Sequence, residues 1–282
     1  MIVVTGATGL LGGAVVERLL GKVPAAEIGV SVRDPAKATA LADRGVRVRR
    51  GDYDDAASLA HAFEGAEQLL LVSAAATGEP ALRQHATAID AARAAGVRRI
   101  VYTSHMGANP ASPFAPMPDH AATEALLEAS GLAFTALRNG FYTASGGMLL
   151  GQALETGELA APADGPVSWT AHDDLAEAAA IVLTDEGRFE GPTPPLTGTA
   201  AFDLAGLAAE ITDRPITRTV VSDAQYREQL GVPGPVADML LGMFAAASAR
   251  SSCAVQETGP SAGAASSPVS RACPRSMRPD DA

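Results

Sequence analysis

A short β-forming run, Ile2-Val3-Val4-Thr5, leads directly into Gly6-Ala7-Thr8-Gly9-Leu10-Leu11-Gly12, which opens a helical pattern. That order of strand, glycine turn and helix constrains the fold more tightly than any other feature of the chain. The first glycine permits a tight turn, the second lets a pyrophosphate approach the backbone, and the third lets helix and strand pack closely. Free N–H groups at the helix start then face an anion. The segment predicts the first unit of a dinucleotide-binding sheet.

The rest of the N-terminal half repeats the alternation of short apolar runs with helical stretches that marks βαβ units. Strands are expected at Met1 to Thr5, Glu27 to Arg33, Val46 to Arg50, Gln68 to Ser73, Arg99 to Thr103 and Ala133 to Leu137. Helices fill the gaps, the fourth running from about Glu79 to Ala95 with Gly96 as its stop. Six strands joined by right-handed crossovers give an α/β fold with a doubly wound parallel sheet of the Rossmann kind over residues 1–138. After Arg138, Gly146-Gly147, Pro162, Pro166 and Gly191-Pro192-Thr193-Pro194-Pro195 break the pattern into shorter elements. This predicts a smaller C-terminal α/β lobe over 139–249, with helices at His172 to Leu183, Asp203 to Thr212 and Pro233 to Met243. Its strands are expected near Ser168 to Thr170 and Thr217 to Val221. Residues 250–282 have no aromatic residue and no periodicity, and are expected to be disordered. An interaction arm and the product of a shifted reading frame are both open readings of such a tail, the second slightly favoured.

Composition removes several classes of function. With 21 Lys and Arg against 32 Asp and Glu, the net charge of −11 argues against binding a nucleic-acid backbone. The apolar runs, Gln68 to Val72 and Ala176 to Leu183, are too short to span a membrane. No signal segment precedes the first strand, so the cytoplasm is the expected location. Cys253 and Cys273 give neither a disulfide framework nor a metal spacing, and the five histidines form no zinc pattern, so no metal is expected.

Arg33 ends the second strand, where a fold preferring NAD places an acidic residue for the ribose hydroxyls. A guanidinium there suits a 2′-phosphate, and so NADP. Asp34-Pro35 reads instead as a helix start. Gly6-Ala7-Thr8-Gly9, Arg33, Gly51-Asp52-Tyr53, Tyr102-Thr103-Ser104 and Leu137-Arg138-Asn139-Gly140-Phe141-Tyr142 together resemble the NmrA-like group of atypical short-chain dehydrogenase/reductases. Within it the chain is most similar, from Met1 to about Met243, to the bacterial type-2 NAD(P)H:quinone oxidoreductases. The resemblance implies that Gly6, Ala7, Thr8, Gly9, Leu10 and Leu11 hold the pyrophosphate and Arg33 the 2′-phosphate. It implies further that Asp52 and Tyr53 lie on the adenine side, that Ser73, Ala74 and Ala75 line the ribose, and that Asn139, Gly140, Phe141 and Tyr142 lie beside the nicotinamide. Leu10 stands where relatives can carry a polar residue. Asp52 as a helix cap, Tyr53 as a packing residue and Asn139 as a turn residue remain alternative readings.

The chain lacks the Tyr and Lys pair, four residues apart, with which ordinary short-chain dehydrogenases protonate an alkoxide. Its only lysines are Lys22 and Lys37, and His120 and Glu124 stand at the corresponding place. Those two read equally well as a polar helix surface. A quinone needs no such acid, because its product is phenolic and phenols ionise near pH ~10. The expected activity is NADPH-dependent hydride transfer to quinones or similar planar acceptors. Tyr142, His105 and Asn139 are the catalytic candidates, and Phe141 and Met106 would add apolar surface. The competing reading is a redox-sensing regulator that binds NADP(H) without turnover. A planar small molecule is the expected partner, and a homodimer is an open state.

Overall fold

The computed structural model describes residues 1–248, so the expectation of a disordered segment over 250–282 lies outside the described residues. Two compact units divide the chain, one comprising Met1–Asn139 with Ala171–Leu196, the other Gly140–Thr170 with the residues from Thr197 onward.

The first unit begins β1 (Ile2–Thr5), α1 (Leu10–Leu20), β2 (Ile28–Val32), α2 (Thr39–Ala42), β3 (Arg47–Arg50), α3 (Ala56–Phe63) and β4 (Gln68–Leu71). It continues with α4 (Glu79–Ala94), β5 (Arg99–His105), α5 (Pro116–Ser130) and β6 (Ala133–Asn139). Then follow β7 (Phe141–Tyr142), α6 (Thr143–Thr156), β8 (Glu158–Ala161) and β9 (Trp169–Thr170) of the second unit, and α7 (His172–Thr184) and β10 (Gly191–Pro192) of the first. The second unit closes with α8 (Leu204–Ile211), β11 (Thr217–Val220), α9 (Asp223–Leu230) and α10 (Gly234–Ser248).

In the first unit the strands form one parallel sheet in the order β10-β6-β5-β4-β1-β2-β3, the expected doubly wound arrangement. Strands covered on both faces are largely apolar, which explains the buried runs Ile2–Val4 of β1 and Leu69–Leu71 of β4. Leu59, Phe63, Leu69, Leu71, Ile100, Tyr102 and Leu127 belong to one core cluster on one side of the sheet. Winding reverses between β1, which continues to β2, and its other neighbour β4. Open α/β sheets bind ligands beyond the carboxyl ends of the strands at such a reversal.

Two features of the first unit depart from the sequence reading. Gly191-Pro192, read as a break, forms a seventh strand that pairs in parallel with Thr135 and Ala136. Proline is tolerated there because an edge strand has one side that needs no ladder donor. The helix from His172, expected in the smaller lobe, belongs to the first unit, where α7 packs on α1 and Lys22 reaches Glu177 at 2.9 Å. The buried Arg99 guanidinium ties the same excursion to the sheet, donating to the Val182 and Phe189 carbonyls at 2.9 Å each and to Thr135 Oγ1 at 2.7 Å.

The second unit contains two short parallel pairs, β7 with β9 and β8 with β11. Its helix α6 runs through Gly146-Gly147, which the sequence reading took for breakers. A Cβ on Gly146 would stand 2.5 Å from Leu207 Cδ2 and 3.1 Å from the Trp169 ring, so this glycine serves close packing rather than a turn.

Candidate active site

A cavity of about 660 Å³ opens where the sheet reverses, and every residue lining it belongs to the first unit. Gly6, Thr8, Gly9, Arg33, Asp52, Tyr53, Ser73, Ala74 and Ala75 line it together. Ala7 and Leu11 do not: both side chains are buried beneath the turn, and Leu10, 72% exposed, lies outside the cavity as well. Sequence reasoning missed Ser31, Ala76 and Gln84, which also line it. Gly51, part of the quoted Gly-Asp-Tyr segment, packs closely on β2: a Cβ there would stand 2.0 Å from Ser31 Oγ and 3.2 Å from Ala62 Cβ, so Ser31 would have to turn aside.

The β1–α1 turn has backbone geometry suited to an anion. Gly6 sits at φ +62°, and the Gly9 amide donates to the Gly6 carbonyl at 2.9 Å. A Cβ on Gly12 would lie 2.3 Å from the Gly6 oxygen, which excludes any side chain. Among the described residues no side chain caps α1, and its first turn carries no acidic residue, so its opening amides and the positive end of its dipole remain available. A diphosphate fits this cradle. Arg33 stands exposed on the cavity wall and makes no hydrogen bond or ion pair among the described residues, a cation available to a further phosphate. Asp34 is occupied: its Oδ1 accepts from the Ala36 amide at 3.1 Å, the capping role expected of it.

Asp52 is not the cap of the helix that follows. Asp55 takes that role, accepting from the Ser58 amide at 3.1 Å, and Asp52 Oδ1 accepts from the Asp54 amide at 3.2 Å. The Tyr53 hydroxyl braces the cavity floor, donating to the Val72 carbonyl at 2.6 Å and lying 2.6 Å from Thr5 Oγ1. Burial raises its pKa, so the phenol stays protonated.

A second polar cluster lies at the carboxyl ends of β5 and β6. His105, at the end of β5 and paired in register with Asn139, accepts from the Gly107 amide at Nδ1, 3.0 Å away. Its ring stacks on His120 with centroids 6.1 Å apart, and His120 Nδ1 shares a hydrogen bond of 2.8 Å with the Tyr102 hydroxyl. Burial pushes the His105 pKa down to about 3 and that of His120 to about 4, leaving both neutral at pH 7. Glu124 is no polar helix surface. It is buried, accepting from Ser104 Oγ at 2.6 Å and from the Arg138 guanidinium at 2.7 and 3.2 Å. Asn139 is 1% exposed, and neither its amide nitrogen nor its oxygen has a partner among the described residues. Its donor and acceptor are thus both unsatisfied in the interior at the end of β6, and Asn139 is not among the residues lining the cavity.

Gly140, Phe141 and Tyr142 belong to the second unit. There Phe141 meets Trp169 edge-on at 5.7 Å, and Tyr142, half-buried, pairs in register with Thr170. Among the described residues, no group of three or more His, Cys, Asp or Glu could hold a metal ion, and no helix is long and apolar enough to cross a membrane.

Residues 6–186 match the sequence profile of the family described as NAD(P)H-binding. The chain is 42% identical over 247 residues to quinone oxidoreductase 2 of Escherichia coli K12, covering 85% of each. It is 31% identical over 255 residues to the NAD(P)H azoreductase of Xenophilus azovorans, covering 88% of this chain and 87% of that protein. The crystal structure of an Escherichia coli NADPH-dependent quinone oxidoreductase complexed with NADPH superposes with a TM-score of 0.84 and 40% identity, covering 92% of this chain and 93% of that one.

Proposed function

The chain belongs to the NAD(P)H-binding family, and from that premise we propose that it is an NADPH-dependent oxidoreductase that delivers hydride to quinones or similar planar acceptors. The observation that carries the reading is the cleft itself, where a helix start uncapped and a guanidinium unpaired among the described residues line one cavity. Similarity to a quinone oxidoreductase and to an azoreductase, whose names share reduction of a conjugated acceptor, supports the acceptor class.

Bound NADPH would supply the hydride from its nicotinamide ring. On this reading Gly6 and Gly9 keep the turn close to the pyrophosphate, with the α1 amides donating to its oxygens. Arg33 neutralises the 2′-phosphate with charge-assisted hydrogen bonds. Asp52 and Tyr53 form the adenine side, and Ser73, Ala74 and Ala75 follow the ribose. Asn139, at the end of β6, lies toward the nicotinamide. His105 and His120, held neutral by burial, bring no cationic acid to the acceptor, whose phenolic product takes its proton from water.

Steady-state loss of NADPH absorbance with benzoquinone-type acceptors tests the proposal. It predicts oxidation proportional to both protein and acceptor, and slower with NADH. Tight NADPH binding without acceptor-dependent oxidation would select the regulator instead. A cytoplasmic location belongs to the same proposal and is checked by fractionation.

A further inference from the structure

The cavity wall that leaves the sheet after β4 has no ladder partner, yet side chains from four elements claim its amides. Val72 donates to Thr5 Oγ1 at 2.8 Å from β1, and Ser73 to Thr103 Oγ1 at 2.8 Å from β5. Ala74 donates to His85 Nε2 at 2.8 Å from α4, and Gly78 to Asp119 Oδ2 at 2.6 Å from α5. His85 is 2% exposed. Because an amide donates to Nε2, the ring hydrogen of the neutral imidazole sits on Nδ1, 2.8 Å from Thr123 Oγ1. Thr123 in turn donates to the Asp119 carbonyl at 2.8 Å. The chain of donors therefore runs in one direction, from the cavity wall through His85 to α5. Tyr53 and Tyr102 meet the ring edge-on at 6.5 and 5.5 Å and hold its plane.

We propose that His85 is a positioning residue for the cofactor: with Asp119 it clamps the Ser73–Gly78 segment so that the wall facing the ribose exists before the cofactor arrives. A preformed wall spares the ordering cost that a loose loop would bring to binding. The inference rests on the proposed placement of NADPH in this cavity. No cofactor contact is required of His85 itself, which acts through the Ala74 backbone.

The test compares His85→Leu, which fills similar space without an acceptor, with His85→Gln, whose side-chain oxygen can replace Nε2. Amide exchange is read in cofactor-free protein, and cofactor affinity by fluorescence titration. Losing one hydrogen bond should speed exchange at Ala74 and weaken NADPH by about two- to tenfold in His85→Leu. His85→Gln should recover most of both losses. Native exchange and affinity in His85→Leu, or equal losses in the two variants, would overturn the clamp. Should His85→Leu not fold, Thr123→Val removes the partner of Nδ1–H and should speed exchange at Ala74, and native protection there would overturn the idea. Failure of the unmodified protein to bind NADPH would defeat the cofactor reading alone, since exchange at Ala74 still judges the clamp.

Discussion

Arg33 lines the cavity with no partner among the described residues, whereas Arg50, at the end of the neighbouring strand β3, donates to Asp55 at 2.7 Å. A guanidinium left unpaired beside an anion cradle has little structural work to do, so its value should appear on binding. A charge-assisted hydrogen bond is typically worth about 1.5–3 kcal/mol, so Arg33→Ala should weaken NADPH about ten- to a hundredfold and leave NADH nearly unchanged. Parallel titrations of both cofactors check this, and equal losses would make Arg33 a general electrostatic or structural residue. At this scale the sequence was informative where backbone geometry is local. Gly6, Gly9 and Gly12 declare a turn within seven residues, and Arg33 follows the strand that places it. Glu124 and His85 were not legible in the same way. Each reads as an ordinary polar residue on a helix, and only the fold brings Ser104 and Arg138 to the first and the Ala74 amide to the second.

Helix α6 shows how a local rule can mislead about an element. Gly-Gly lowers helix propensity, yet here the helix survives because one glycine allows close packing and the other merely costs stability. Gly146→Ala would press a Cβ against Leu207 and Trp169 and should destabilise by about 1–3 kcal/mol. Gly147 has nothing within 4 Å of an added Cβ, so Gly147→Ala should stabilise by roughly 0.5–1 kcal/mol through helix propensity. Chemical denaturation of both variants tests the contrast, and a change of the same sign in both would contradict it. Strand β10 and helix α7 were misread for a different reason. Their places depend on a return of the chain to the sheet, held by Arg99 and by the packing of α7 on α1, and no periodicity within residues 171–196 announces that return.

For the whole molecule, alternation of strands and helices sufficed to read the doubly wound sheet, and the reversal beside β1 then locates the cleft. The same burial that builds the core holds His85 and His105 neutral, at pKa values pushed down to about 4 and about 3. An unfolded histidine titrates near ~6.5, so below that pH the unfolded chain binds more protons than the folded one. Their contribution is complete above pH ~6.5 and is lost as pH falls toward the folded values, by up to about 1.4 kcal/mol per pH unit for each. The melting temperature should therefore fall between pH 7 and pH 5 at constant ionic strength. A flat profile there would show these rings to be charged or solvated in the fold.

The central claim is that the cleft holds NADPH so that its hydride passes to a planar acceptor. A single-turnover experiment tests it most directly: protein is saturated with one equivalent of NADPH, mixed with a benzoquinone-type acceptor, and followed by cofactor absorbance. One equivalent of NADPH should be oxidised per hydroquinone formed, faster than free NADPH reacts with the same acceptor. Bound NADPH that reacts no faster than the free cofactor, or is protected from the acceptor, would contradict the account and leave a cofactor-binding protein without this chemistry.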